Sequence, residues 1–240
     1  MKESHFFYVP TLPETEELPV DEAQHAIRVL RLQTGDSLWL LDGVGNFYQA
    51  EVTLTTSKRC LFRIVESKAQ LKGWHGNIHL AIAPTKNIDR IEWMVEKACE
   101  VGIDQFSFLQ CKFSERKILR IDRLEKIMIS AVKQSRKPMM PIINELSSFE
   151  TFISSPRVGR KFIAHCYPEI ERKDFFSILQ QIDVNEDVTV LIGPEGDFSI
   201  DEVKLAMANG YVSISLGNSR LRTETAGLYA VMMAQLTKRR

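Results

Sequence analysis

From residue 78 onward, short apolar runs alternate with stretches of helical periodicity, and this alternation constrains the fold of the 240-residue chain more than any other feature. Ile78–Ala83, Gln105–Gln110, Lys161–His165, Val188–Ile192 and Val212–Leu216 read as strands. Helices are expected over 88–101, 121–137, 173–182, 200–209 and 224–237. In the first, Ile88, Ile91, Val95, Ala98 and Val101 fall at helical spacing, and Gly102 ends the run. Strands that are apolar along nearly their whole length have no polar face to offer to water. They need cover on both sides, which a parallel sheet flanked by helices provides. Ligands in such sheets sit beyond the carboxyl ends of the strands, so the connections after Ile192 and Leu216 are the places to search.

The first 69 residues follow another rhythm. Ser37–Asp42, Phe47–Leu54 and Cys60–Val65 read as strands, the first two joined by a turn holding Gly43 and Gly45. Ala23, Ile27 and Leu30 mark a helix between about 21 and 32. Lys68–Asn77, polar and containing Gly73 and Gly76, reads as a linker. The expected organisation is a small β-rich domain over 1–69 and an α/β domain over 73–240.

Formal net charge is zero, but its distribution is uneven. Residues 112–139 hold nine Lys/Arg against three acids, and the chain closes on Lys238, Arg239 and Arg240. Such a stretch serves equally as a phosphate-binding surface or as a solvated helix face. The apolar runs are too short to cross a bilayer, and the polar start Met-Lys-Glu-Ser-His carries no leader signal, so a cytoplasmic protein with no membrane partner is expected. Cys60, Cys99, Cys111 and Cys166 form no CxxC pair and have no His at ligand spacing, so no metal is expected.

Two strand-to-helix turns concentrate the chemistry. In the first, Leu191-Ile192-Gly193-Pro194-Glu195-Gly196-Asp197-Phe198-Ser199, a buried strand meets two glycines and a proline. Ser199 with Glu202 then has the spacing of a capping box. In the second, Leu216-Gly217-Asn218-Ser219-Arg220-Leu221-Arg222-Thr223-Glu224, two arginines and a glutamate crowd a loop whose helix cap is expected at Thr223. Either turn alone could be an ordinary tight connection. Neither is a dinucleotide fingerprint, a P-loop or a nucleophile elbow.

These two turns resemble the signature loops of the SPOUT class, and more closely those of the RsmE-type 16S rRNA (uracil-N3)-methyltransferases. His25–Asp36 and Asp42–Tyr48 are similar to that family's PUA-like N-terminal domain, and Ile91–Ile103 to its first catalytic-domain helix. Ser114–Lys117 and Gln134–Pro141 fall where the family has polar and basic motifs. The resemblance implies a parallel sheet with a C-terminal trefoil knot, S-adenosylmethionine (AdoMet) as cofactor, 16S rRNA or the 30S subunit as partner, and a homodimer. It implies cofactor binding at Leu191, Gly193, Pro194, Glu195, Gly196, Leu216, Gly217, Leu221 and Thr223. Methylation at N3 needs a proton acceptor or a cation that stabilises the uracil anion. Glu195 and Glu224 are the nearest carboxylates and Arg222 and Arg220 the nearest cations, so Arg222, Glu195 and Glu224 are the expected catalytic residues, with Arg220 the alternative arginine. His25, Arg28, Arg31, Arg116, Lys133 and Lys137 are the expected RNA contacts. Leu228, Val231, Met232 and Leu236 form a stripe that fits either a dimer interface or core packing. The chain departs from the family at Asp197, where a second glycine is usual. Ser219 stands at the usual arginine with Arg220 one place later, and Lys137 where arginine is common.

Overall fold

The computed structural model describes residues 5–239. The chain forms two compact units: one runs through Lys72 and takes in Ile129–Met140, the other comprises Gly73–Met128 and Pro141–Arg240. The first is a four-stranded sheet of β1 (Phe6–Tyr8), β2 (Ser37–Leu41), β3 (Asn46–Thr55) and β4 (Cys60–Ala69), in that order. Helix α1 (Val20–Gln24) continues into a π-helical turn over His25–Val29. Phe7, Leu38, Leu40, Ala50, Val52 and Phe62 point to one face and meet Ala23 and Ala26 in a closed core, as the period-two alternation requires. Gly43 and Gly45 take left-handed backbone at the β2–β3 turn, with φ of 79° and 113°. The Asp42 carboxylate gathers the turn by accepting from the Val44 and Asn46 amides at 2.8 and 3.0 Å. The Gly45 amide donates to Pro138, and the Met140 amide to Gly43, which adds the segment after α3 to this unit.

The second unit is a seven-stranded, wholly parallel sheet in the order β7-β6-β5-β10-β8-β11-β9. Its elements are β5 (Ile78–Ile82), α2 (Ile88–Val101), β6 (Gln105–Gln110), α3 (Ile121–Ser135) as far as Met128, β7 (Ile142–Ser148), α4 (Phe149–Ser154), β8 (Arg160–Ala164), β9 (Lys173–Asp174), α5 (Phe175–Leu179), β10 (Val188–Ile192), α6 (Ile200–Ala208), β11 (Val212–Ser215) and α7 (Thr223–Lys238). Every residue of β5 and β10, the adjacent central strands, is buried. Three strands lie outside the sequence expectation. β1 and β9 have three and two residues, too few to show a period. β7 is an edge strand of mixed exposure.

The expected linker is only partly one. β4 runs on to Ala69, and from Gly73 the chain is fastened into the second unit. Trp74 is buried and donates its indole N–H to Asp104 at 2.8 Å, while the His75 amide donates to the Lys238 carbonyl at 2.9 Å.

At the amino end of the sheet, His79 lies buried beside the Phe152 ring, with Nε2 2.9 Å from the Ser107 hydroxyl. Burial, and secondarily Arg157, pushes its pKa down to about 3. The unfolded chain protonates this group near the usual 6.5. Its contribution to stability is therefore complete above that value and is lost as pH falls toward 3. At about 1.4 kcal/mol per pH unit, roughly 2 kcal/mol goes between pH 6.5 and 5. A His79→Asn variant is expected to show a shallower fall in urea-unfolding free energy between pH 7 and 5 than the parent, whatever its stability at pH 7.

Candidate functional site

The carboxyl ends of β5, β10, β8 and β11 lie level. Ile192 is in register with both Ile82 and Ala164, and Ala164 with Ile214. Beyond that edge opens a cavity of about 840 Å³, within the roughly 300–1,000 Å³ of small-ligand sites. Ala164, Ile192 and Ile214 are the strand ends that line it, and the two turns singled out in the sequence supply most of the remaining wall.

The first turn is shaped by what a side chain would strike. A Cβ at Gly193 would lie 2.9 Å from the Phe198 amide nitrogen and 3.1 Å from the Asp197 carbonyl carbon, so only hydrogen fits. Asp197, standing at a family glycine, adopts the left-handed backbone that glycine would supply, with φ of 66°. Its carboxylate offsets the strain by accepting from the Cys166 amide at 2.8 Å and the Phe198 amide at 2.7 Å. This departure fastens the turn to the β8 end. Glu195 accepts from the Lys86 amide at 2.9 Å, and Arg116 donates to the Thr85 and Lys86 carbonyls, so the loop after β5 is tied to the same turn. The capping box of α6 forms as expected: Ser199 accepts from the Glu202 amide, and Glu202 from the Ser199 amide.

In the second turn Gly217 has φ of 105° with open space where a side chain would be. The residue capping α7 is Arg222, not Thr223, because extended backbone persists through Arg222 and Thr223 is already the first helical residue. Arg222 is left exposed while Thr223 and Glu224 are buried. One Glu224 oxygen lies 3.9 Å from Arg90 Nε, and the other has no hydrogen-bond partner among the described residues. A buried carboxylate oxygen left unpaired is costly and rare.

Gly193, Pro194, Glu195, Gly196, Leu216, Gly217, Leu221, Arg222 and Thr223 thus converge on one cavity. Leu191 does not line it. Successive strand residues face opposite sides, so Leu191 packs into the core with Phe149 and Phe198 while Ile192 meets the cavity. Glu224 sits just behind the lining residues. Sequence reasoning missed Arg90, His165, Cys166 and Arg172, which also line the cavity. The rule that sent attention to the ends of two strands applied equally to β5 and β8. His165 is held as the Nε2–H tautomer: its Nδ1 accepts from the Tyr167 amide at 3.2 Å, its Nε2 donates to Ser213 at 2.8 Å, and Ser213 donates to the Glu171 carbonyl. Burial holds its pKa below the usual value.

Of the expected RNA contacts, His25, Arg28 and Arg31 are exposed in the first unit. Lys133 is engaged there by both Glu22 oxygens at 2.7 and 2.9 Å, and Lys137 is half-buried, its ammonium pushed down by desolvation. Arg116, in the second unit, spends its guanidinium on backbone carbonyls.

The family description "RNA methyltransferase domain" matches residues 72–235, and "RNA methyltransferase PUA domain" matches residues 18–65. A solved probable rRNA-methyltransferase from Porphyromonas gingivalis is 41% identical, with a TM-score of 0.90 and 98% of each chain covered. A ribosomal RNA small subunit methyltransferase E from Neisseria gonorrhoeae, solved bound to S-adenosyl methionine, is 25% identical with a TM-score of 0.80, again over 98% of each chain. Ribosomal RNA small subunit methyltransferase E of Rickettsia conorii is 29% identical over 92% of this chain and 89% of its own.

Proposed function

Since the chain belongs to the RNA methyltransferase family, matched across its catalytic and PUA domains, we propose that it transfers the methyl group of AdoMet to N3 of a uridine in 16S ribosomal RNA. The observation that carries this reading is the convergence of both sequence-marked turns on one cavity at the carboxyl edge of the sheet. The cavity suits AdoMet on two counts. Its volume is sufficient, and Gly193 and Gly217 bare the backbone at its wall. Gly193, Pro194, Gly196, Leu216, Gly217, Leu221 and Thr223 would hold the cofactor. Bound AdoMet supplies an electrophilic sulfonium methyl, so the protein's task is positioning and charge.

Uracil N3 carries a proton and attacks poorly until it is lost. Arg222, exposed on the cavity wall, stabilises the uracil anion or a neighbouring phosphate. Glu224, with one buried oxygen unpaired among the described residues and the other 3.9 Å from Arg90, is the candidate acceptor for that proton. Glu195 acts by tying the loop after β5 to the cofactor turn. The strand order, with β8 between β10 and β11, supports the knotted path implied by the family. His25, Arg28 and Arg31 present cations and an imidazole for RNA.

A homodimer is part of this reading. The stripe expected on α7 divides in the structure: Val231 is buried in the core, whereas Met232 and Leu236 are exposed together with Tyr229 and, on α2, Trp93. An apolar strip of that kind fits a second copy. No helix among the described residues is long and apolar enough to cross a membrane; a cytoplasmic location belongs to this reading because the proposed substrate is ribosomal RNA.

Incubation with labelled AdoMet and 30S subunits stripped of their natural modifications is expected to yield 3-methyluridine in the 16S RNA. Label appearing as a 2′-O-methylated nucleoside, or AdoMet binding without transfer, would overturn the substrate assignment.

A further inference from the structure

The loop after β6 carries a feature that folding alone does not require. Phe113 is 47% exposed, an aromatic ring held outside the core. It sits against the cofactor turn: a Cβ built on Gly196 would lie 3.2 Å from Phe113 Cβ. The loop that presents it is held from several sides. The Lys112 amide donates to Glu202 at 2.8 Å, the Cys111 amide donates to Ser114 Oγ at 3.0 Å, and the Ser114 amide returns to the Cys111 carbonyl at 3.1 Å. Three residues on, Arg116 fastens the loop to the Thr85 and Lys86 carbonyls. An exposed apolar ring costs solvation, and ordering the backbone that displays it costs entropy.

Charge around the ring points to its occupant. The Lys112 ammonium lies 5.8 Å from the ring centroid, and Lys112 and Lys117 are exposed on the same loop. An aromatic ring with one lysine over it and a second exposed on the same loop matches a base and its phosphates. An acidic partner chain would satisfy the charge but not the flat face. Chemistry at N3 also requires that the base leave its pairing partner and stack, since N3 lies on the pairing edge.

We propose that Phe113 is the stacking platform for the target base, holding the extruded uracil at the rim of the cofactor cavity while Lys112 and Lys117 hold adjacent phosphates. This rests on the methyltransferase reading above and names the side chain that receives the base. In this scheme Phe113 touches the substrate base and holds it, but moves no proton.

The test compares the full-length parent with Phe113→Ala, Phe113→Leu and Phe113→Trp. Leucine keeps the apolar bulk but has no π face, and tryptophan enlarges that face. In the presence of S-adenosylhomocysteine, single-stranded oligouridylate is expected to bind the alanine and leucine variants roughly five- to a hundredfold more weakly, and the tryptophan variant at least as well as the parent. AdoMet affinity, measured separately, is expected to change less than about threefold in all four, which also establishes that each is folded. Single-turnover methyl transfer to 30S subunits should follow the same order. Equal oligouridylate binding by all four, or a leucine variant equal to the parent, would overturn the proposal. So would a change in sedimentation of the alanine variant with RNA affinity intact, since the ring would then be covered by a second copy. If the parent fails to methylate 30S subunits yet binds oligouridylate in this order, the substrate reading fails and the platform stands.

Discussion

Replacing Arg222 with alanine is expected to lower single-turnover methyl transfer by about a hundred- to a thousandfold, the usual cost of losing one fixed group that stabilises developing charge. AdoMet affinity should change less than about threefold. The asymmetry follows from where Arg222 sits. Its backbone caps α7 without help from the side chain, so truncation leaves the helix start in place. Its side chain is exposed on the cavity wall, and no carboxylate among the described residues pairs with it. Arg220, its neighbour in the same loop, is the control. Arg220→Ala should cost less than tenfold in the same assay. A reversed pattern would transfer the role to Arg220, and turnover near the parent's in both variants would remove the arginines from the chemistry.

Gly193→Ala is expected to weaken AdoMet binding by about ten- to a hundredfold, from roughly 1–3 kcal/mol of overpacking where nothing yields easily. The atoms a methyl group would meet are backbone atoms of Asp197 and Phe198, which no rotamer change can remove. The turn is pinned before by β10 and after by the capping box, and Asp197 holds the β8 end. Isothermal titration measures the affinity, and urea unfolding measures how much strain falls on the fold. Gly217→Ala should be milder, because its Cβ would meet open space and only the positive φ is strained. Full affinity in the Gly193 variant would mean that the turn does not touch the cofactor.

The parallel sheet was legible because β5, β8 and β10 are short, apolar and separated by helical periodicity, and the structure places each within a residue of its expected bounds. β7 was not, because an edge strand after Pro141 carries no continuous apolar signature. The two turns that line the cavity were legible because glycine, proline and a capping box are local chemistry. Arg90, His165 and Arg172 were not, since an arginine in a first helical turn looks like any solvated arginine until the register of four strands brings it to the cavity. The Lys133–Glu22 pair was equally hidden, its partners lying 111 residues apart. Asp197 reads in sequence as a defect in a glycine motif. Only the Cys166 amide lying within reach explains why aspartate serves there.

The pairing of β5 with β10 joins residues such as His79 and Thr189, 110 positions apart. At synthesis rates of roughly 5–20 residues per second, the neighbour of the central strand arrives on the order of ten seconds after the strand itself. Through that interval β5 has no partner on one edge, and the later cavity-lining segments do not yet exist. The sheet of this unit therefore closes only after β10 and α7 have been made, when the Lys238 carbonyl takes the His75 amide. Long-range parallel pairing makes this step intrinsically slow. Until the second turn and the start of α7 have been made, a chain proposed to modify ribosomes has no cavity in which to do it.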